Sequence, residues 1–467
     1  MPRIAIIGAG MAGLSAAKKL TELGFNDFIV IEGSDRIGGR IHPIPYHGGY
    51  LQMGAQFVNG SVNPIFEIAR KVGVLDEAVS DTEHIDAAQF IYGNQPIDEE
   101  DVQLFREFIA PLDRRYRDFS ENYTIMGKAY TFYSLYMEDY ERFLEENKIT
   151  GQRKLVFDAL SRSYRSYWEF EWSADWSDLS LHVLKAWKDG GPECESFTTN
   201  KIGYRAILDH IKSLSSESAF HFNTFVERID YSEPTIKIFT RCSKILEVDH
   251  VIVTCSLGHL KRFYRTLFTP SLPSYKQEAI EKIGFGGSCK IFFRWEKPFW
   301  KLGTFSIAPL PVEGMAREKI EPFEREMTTL QAVPWEPNTL MAWIAGAGHK
   351  VLDDLSDQEI VTKMTKLIRD MMDDQTIAPP SEIVRTRLTH NELLCGGYSY
   401  LSYAQAQANI TTEWLARPIE VHGVPRVCFA GEATHDKLFQ TCIGAFLSAE
   451  REVKRIVSFY QSTQSRL

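Results

Sequence analysis

The sequence predicts an α/β protein: a doubly wound dinucleotide-binding domain with a discontinuous second, substrate-binding domain of mixed sheet and helices. Three observations carry this. An apolar stretch, Ile4-Ala5-Ile6-Ile7, leads directly into Gly8-x-Gly10-x-x-Gly13, with Ala12 inside the turn. A second apolar stretch, Phe28–Ile31, ends in Glu32, nineteen residues after Gly13. The chain of 467 residues also exceeds what one compact core accommodates, so two domains are expected.

Ile4–Ile7 has no turn residue and no alternation, the pattern of a strand buried on both faces of a parallel sheet. Leu14 to Leu23 has an alanine-rich helical pattern with Gly24 placed to cap it. Between strand and helix, the three glycines permit a tight turn, close approach of a pyrophosphate and close helix–strand packing. The helix N-terminus then presents N–H groups and a positive dipole end to phosphate. Glu32 accepts hydrogen bonds from a ribose hydroxyl and repels a ribose phosphate, so the adenosine is expected to be unphosphorylated. At this point NAD and FAD both fit. The pattern continues as Glu32-x-x-x-Arg36-x-Gly38-Gly39-Arg40.

Further on, Gly48 to Gly60 is glycine-rich and suits close backbone approach to a flat ring. From Asp76 to about Thr199 the chain is charged, aromatic and helical in period, with helices expected over Glu99–Phe119 and Phe132–Glu146. Short strands are expected at Phe220–Ile229 and Ile236–Val248, and a buried parallel strand at Asp249–Cys255. A second helix-and-strand region runs from Ser274 to about Ile383, with strands Lys290–Trp295 and Leu340–Ile344 and an amphipathic helix Asp357–Asp373. A strand over Val427–Phe429, leading into Ala430-Gly431-Glu432, and a helix Ile443–Tyr460 close the chain. The expected division assigns residues 1–75, 200–265 and 385–467 to the dinucleotide domain and residues 76–199 and 266–384 to the other.

Net charge is −10, which disfavours nucleic acid and is compatible with a cationic substrate. The seven cysteines are odd in number and form no CxxC pair, so a reducing compartment is expected rather than a disulfide framework or a zinc site. A first strand starting at residue 3 or 4 leaves no signal peptide to expect, and no apolar run is long enough to span a bilayer. Ser465-Arg466-Leu467 is a conservative variant of the Ser-Lys-Leu peroxisomal address. A peroxisomal import receptor is therefore an expected partner, and the peroxisome the expected location, with the cytoplasm as the alternative.

The stretch from Glu32 to Arg40 resembles the flavin-containing amine oxidases, and the resemblance is closest to their polyamine oxidase branch. It continues through Val251–Lys261, Gly287–Trp300, Gly396–Tyr400 and Phe429–His435 and covers nearly the whole chain. It implies FAD, with the extension through Arg40 bringing a second loop against the pyrophosphate. By position, Gly8, Gly10, Ala12, Gly13, Glu32, Arg40 and Glu432 are implied to hold FAD, Val226 to touch the adenine, and Gly54, Ala55 and Gln56 to line the flavin. Thr441, Cys442 and Ile443 are implied to begin the final helix beneath the pyrimidine, where a helix N-terminus stabilises negative charge. Lys290 is implied to hold a water against flavin N5, and Tyr398 to wall the substrate. Gly397, not cysteine, precedes Tyr398, so the FAD is expected to be non-covalent.

The substrate-reading positions depart from the family pattern. Asn59 stands where animal relatives have histidine, Leu388 where a tryptophan is usual, Ala186 where an acid is expected, and Ile443 where another histidine occurs. Asn59 can hydrogen-bond an amine but cannot titrate near neutrality. The resemblance implies oxidation of a secondary amine of polyamines or N-acetylated polyamines, with molecular oxygen as acceptor and hydrogen peroxide as product. The alternatives are an oxidase of another amine and a flavin-binding relative with weakened turnover. A histone-lysine demethylase is disfavoured, because the chain has no room for a chromatin-binding domain and a long helical insertion.

Overall fold

The computed structural model describes residues 2–80, 88–122, 130–187, 195–301, 305–310, 323, 326–344 and 348–464. Ser465-Arg466-Leu467 and Cys194 lie outside them. No helix among the described residues is long and apolar enough to cross a membrane.

All four residues of strand Ile4–Ile7 are buried. The strand lies in a six-stranded sheet, ordered Phe220–His221, Phe28–Ile31, Ile4–Ile7, His250–Val253, Val424–Phe429, Ile419–Val421. The first five strands are parallel and the last antiparallel. Alternation along the central strand assigns its two faces. Ile4 and Ile6 join the cluster formed with helices Met11–Glu22 and Cys442–Gln464. Ala5 and Ile7 face the opposite way, onto helices Leu257–Leu267 and Ser274–Lys282 and a four-stranded sheet. The expected strand Phe220–Ile229 is two strands. Asn223 turns through a left-handed φ of 52°, so Phe220–His221 extends the parallel sheet and Val226–Asp230 enters the four-stranded one.

The other unit is built on a seven-stranded sheet ordered Glu382–Arg385, Cys289–Arg294, Glu336–Ile344, Met327–Val333, Ser306–Leu310, Gln89–Tyr92, Gln95–Pro96. Helix Asp357–Met372 covers it, started by a capping box in which Ser356 and Glu359 satisfy each other's backbone N–H groups. The helix expected over Glu99–Phe119 is broken into Glu99–Ile109 and Leu112–Asn122, because Pro111 lacks an N–H and restricts the residue before it. Helices Phe132–Glu146 and Gly151–Trp172 share an aromatic-rich core with these two. Packing also runs past the expected boundary at residue 265. Strand Phe268–Thr269 pairs with Val226–Asp230, and Ala279, Ile280 and Ile283 enter the cofactor-side core. We therefore place the join nearer Ile283.

His250, on the buried strand His250–Val253, is fully enclosed. Its Nδ1–H donates to Pro425 O at 2.8 Å and its Nε2 accepts from Tyr460 Oη at 2.7 Å, a network that the neutral ring satisfies. Burial lowers its pKa from the ordinary histidine value. The unfolded chain therefore takes up this proton first as the pH falls below about 6.5, and stability is lost on acidification from there. His250→Gln should make stability less dependent on pH over that range in urea unfolding at neutral and mildly acidic pH. An unchanged slope would remove His250 from the acid response.

Candidate active site

The glycine turn is held by contact. Gly8 sits at φ +105°, and a Cβ on Gly13 would stand 1.9 Å from Gly8 O, so helix and strand meet at a distance only glycine permits. Gly10 differs, since the nearest atom to a Cβ there is Gly38 O at 3.9 Å. Its open side faces a cavity of about 2190 Å³ that Gly8, Gly10, Ala12, Glu32, Arg40, Val226 and Glu432 help to line. Gly38 N donates to Ala9 O at 2.8 Å, locking the second glycine loop beside the first. The buried Glu32 carboxylate accepts from Ala9 N at 2.7 Å and from Ser34 N and Oγ at 2.8 and 2.7 Å. A carboxylate offers about four acceptor sites, which leaves capacity for a ribose hydroxyl.

Glu432, also buried, binds this region together. Its Oε1 accepts from Arg40 Nη1 at 2.8 Å, and its Oε2 from Ser399 Oγ at 2.6 Å and Gln440 N at 2.9 Å. Arg40 also donates to Gly397 O at 2.6 Å. A Cβ on Gly54 would stand 1.7 Å from Arg40 O, so the Gly54-Ala55-Gln56 loop lies directly on this arginine.

Lys290 reaches the same loop from strand Cys289–Arg294. Its buried Nζ donates to Gln52 O at 2.9 Å, Gly54 O at 2.6 Å and Gln56 Oε1 at 2.9 Å, and lies 4.4 Å from the Trp343 ring centroid. Burial holds its ammonium well below the ordinary lysine value. Thr386 Oγ1 accepts from Lys290 N at 2.8 Å and fixes the strand. Tyr398 lines the cavity with its hydroxyl tied to Phe170 O at 2.5 Å, and burial raises its pKa. Asn59 lines it too, its amide donating to Ser196 Oγ at 3.1 Å.

Thr441 and Cys442 line the cavity, and Thr441 Oγ1 accepts from Gly444 N at 2.9 Å in the first turn of the final helix. Ile443 follows in the same first turn of the final helix. Its side chain packs, 1% exposed, into the core between helix and sheet and is not part of the cavity wall. Among the other departures, Leu388 is in the wall, whereas Ala186 packs outside it against the aromatic core. Sequence reasoning missed Phe170, Glu171, Trp172 and Trp343, all of which line the cavity. The first three end a 22-residue helix whose aromatic pattern reads as ordinary core. Trp343 faces Lys290 only through the antiparallel register of two strands.

A profile of flavin containing amine oxidoreductases matches residues 11–457. The chain belongs to that family. A peroxisomal N(1)-acetyl-spermine/spermidine oxidase from Homo sapiens is 26% identical, over 98% of this chain and 95% of the relative. Its counterpart from Bos taurus is 27% identical over the same shares. A probable polyamine oxidase 5 from Arabidopsis thaliana is 25% identical over 98% of each. The family's cofactor is FAD, non-covalent in the polyamine oxidase relatives, and the open face of Gly10, the acceptor capacity of Glu32 and the size of the cavity fit it.

The Arg40–Glu432 pair yields a test. Arg40→Met removes a charge-assisted hydrogen bond to a buried carboxylate while Ser399 and Gln440 still donate to it. The expected loss is about 1.5–3 kcal/mol of stability in urea unfolding, with weaker FAD retention. Unchanged unfolding and unchanged flavin content would show that the pair braces nothing.

Proposed function

We propose that the chain oxidises a secondary amine of a polyamine or an N-acetylated polyamine, yielding an aldehyde, a shorter amine and hydrogen peroxide. The observation that carries this is Lys290, anchored by acceptors on Gln52, Gly54 and Gln56 and lining an aromatic cavity. When bound, FAD would supply the acceptor for hydride from the carbon beside the amine and the route of those electrons to oxygen. The chain's own residues prepare the amine for that step. Tyr398, Trp172, Phe170 and Trp343 form apolar walls that exclude water and favour the neutral amine. Glu171, in the same wall, supplies a carboxylate that attracts a cationic substrate on entry. Lys290, its proton affinity lowered by burial, lines the cavity as the group that exchanges a proton, and release of one of its three acceptors would free an N–H to hold a water there.

A second reading, a flavin-binding relative with weakened turnover, is favoured by Asn59. Its amide is engaged by Ser196 and cannot titrate, and Leu388 stands in the cavity wall rather than a tryptophan.

Anaerobic mixing of the yellow protein with spermine, spermidine and their acetylated forms separates the two. Bleaching of the flavin supports the oxidase, whereas retained FAD with no bleaching by any amine supports the second reading. Lys290→Met should keep FAD yet slow flavin reduction, reoxidation by oxygen, or both, by about ten-fold or more. Equal rates would reduce Lys290 to a structural residue. Asn59→His should alter the pH dependence of turnover near neutrality more than FAD affinity.

The peroxisomal names of the human and bovine relatives extend the proposal to location. Removing Ser465-Arg466-Leu467 from a fluorescent fusion with a free C-terminus should shift it from peroxisomes to cytosol. A fusion that is diffuse before the deletion contradicts this.

A further inference from the structure

The aromatic core beside the cavity is ordered as well as dense. On helix Gly151–Trp172, Tyr164, Trp168 and Trp172 fall at i, i+4 and i+8, one above the other on a single face. All three line the cavity. On the neighbouring helix Phe132–Glu146, Tyr136 and Tyr140 repeat the same spacing. The two stripes meet and make one file of rings. Trp172 stacks on Trp168 with centroids 6.5 Å apart, Trp168 lies 6.1 Å from Tyr164, Tyr164 5.4 Å from Tyr136, and Tyr136 stacks on Tyr140 at 5.7 Å. At the far end, Tyr140 Oη donates to Asp158 Oδ1 at 2.9 Å. Asp158 is 27% exposed and paired with Lys154, itself 46% exposed. The file therefore leads from the cavity wall to solvent.

Every ring in this file is an indole or a phenol, the two aromatic side chains that give up an electron most readily. Where the protons go is equally ordered. The Nε1–H of Trp172 is buried without a hydrogen-bond partner among the described residues, and that of Trp168 faces the Tyr164 hydroxyl, a weak base. An oxidised indole at either position meets no strong base for its proton, remains a cation and draws an electron from the next ring. Tyr136 shares its hydrogen bond with the Ser161 hydroxyl, a weak base. Tyr140 faces a carboxylate, so its oxidation completes with proton transfer and the oxidising equivalent comes to rest there.

We propose that Trp172, Trp168, Tyr164, Tyr136 and Tyr140 form a one-electron relay that carries an oxidising equivalent from the flavin cavity to the protein surface. The inference rests on the family's FAD cofactor and is independent of which amine is oxidised. Its role is to clear one-electron oxidation from the cavity wall before the residues around Lys290 are damaged.

The relay can be driven with light. Illuminating the FAD-loaded protein with ferricyanide present supplies the oxidant. One electron leaves Tyr140 through the intervening rings, is taken up by the excited flavin, and then reduces ferricyanide from Fe(III) to Fe(II). The phenol O–H bond breaks, its proton passes to Asp158, and a neutral tyrosyl radical remains. Electron paramagnetic resonance of the frozen sample reads that radical directly. Wild type should show it, and Tyr140→Phe and Trp168→Phe should fall to background while retaining flavin absorbance. Asp158→Asn should lose most of the signal for want of a proton acceptor. Tyr133→Phe, an exposed tyrosine on the same helix but outside the file, should match wild type. Absence of the radical in wild type overturns the proposal, as does a signal of wild-type size in Tyr140→Phe. Should Trp168→Phe fail to hold FAD, Tyr140→Phe and Asp158→Asn still decide, because neither residue lines the cavity.

Discussion

The buried carboxylate of Glu432 is the constraint around which the cofactor side closes. A carboxylate at 3% exposure is costly unless its lone pairs are filled, and here the donors are Arg40 and Ser399 from distant segments and Gln440 from just beyond Glu432 itself. Satisfying it fixes the second glycine loop, the strand after Tyr398 and the approach to the final helix relative to one another. Arg40 transmits the constraint further. Its carbonyl meets Gly54 at a distance no side chain would tolerate, so the Gly54-Ala55-Gln56 loop is placed by the same interaction.

Lys290 makes the corresponding tie from the other unit. It leaves a strand of the seven-stranded sheet and spends all three ammonium donors on the loop that Arg40 supports. An ammonium without an acidic partner is disfavoured by burial, while two carbonyls, an amide oxygen and the Trp343 face stabilise it. The balance leaves a lysine whose proton is loosely held at the point where the two units meet, which suits proton exchange and would be wasteful elsewhere in a core.

The substrate side follows a different logic. Its wall includes the end of an aromatic helix, where Phe170 and Trp172 flank the Glu171 carboxylate. The aromatic stripe of the same helix both lines the cavity and packs into the core shared with helix Phe132–Glu146.

By itself, the sequence determined the central parallel strand, the glycine turn, the helix behind it and the acid at the end of the second strand. Each is a local pattern, in which apolar runs, glycine spacing and one carboxylate have few other ways to be satisfied. The capped helix over Asp357–Met372 was legible for the same reason. Tertiary structure decided what depends on contacts between distant segments. It split the Phe220–Ile229 stretch between two sheets, carried the cofactor-side core on to Ile283, and turned Ile443 inward while its neighbours Thr441 and Cys442 line the cavity. It also placed Trp343 opposite Lys290 and the end of the aromatic helix in the cavity wall. Strand register and helix docking are set by the summed burial of whole faces, and no window of sequence contains both partners of such a contact.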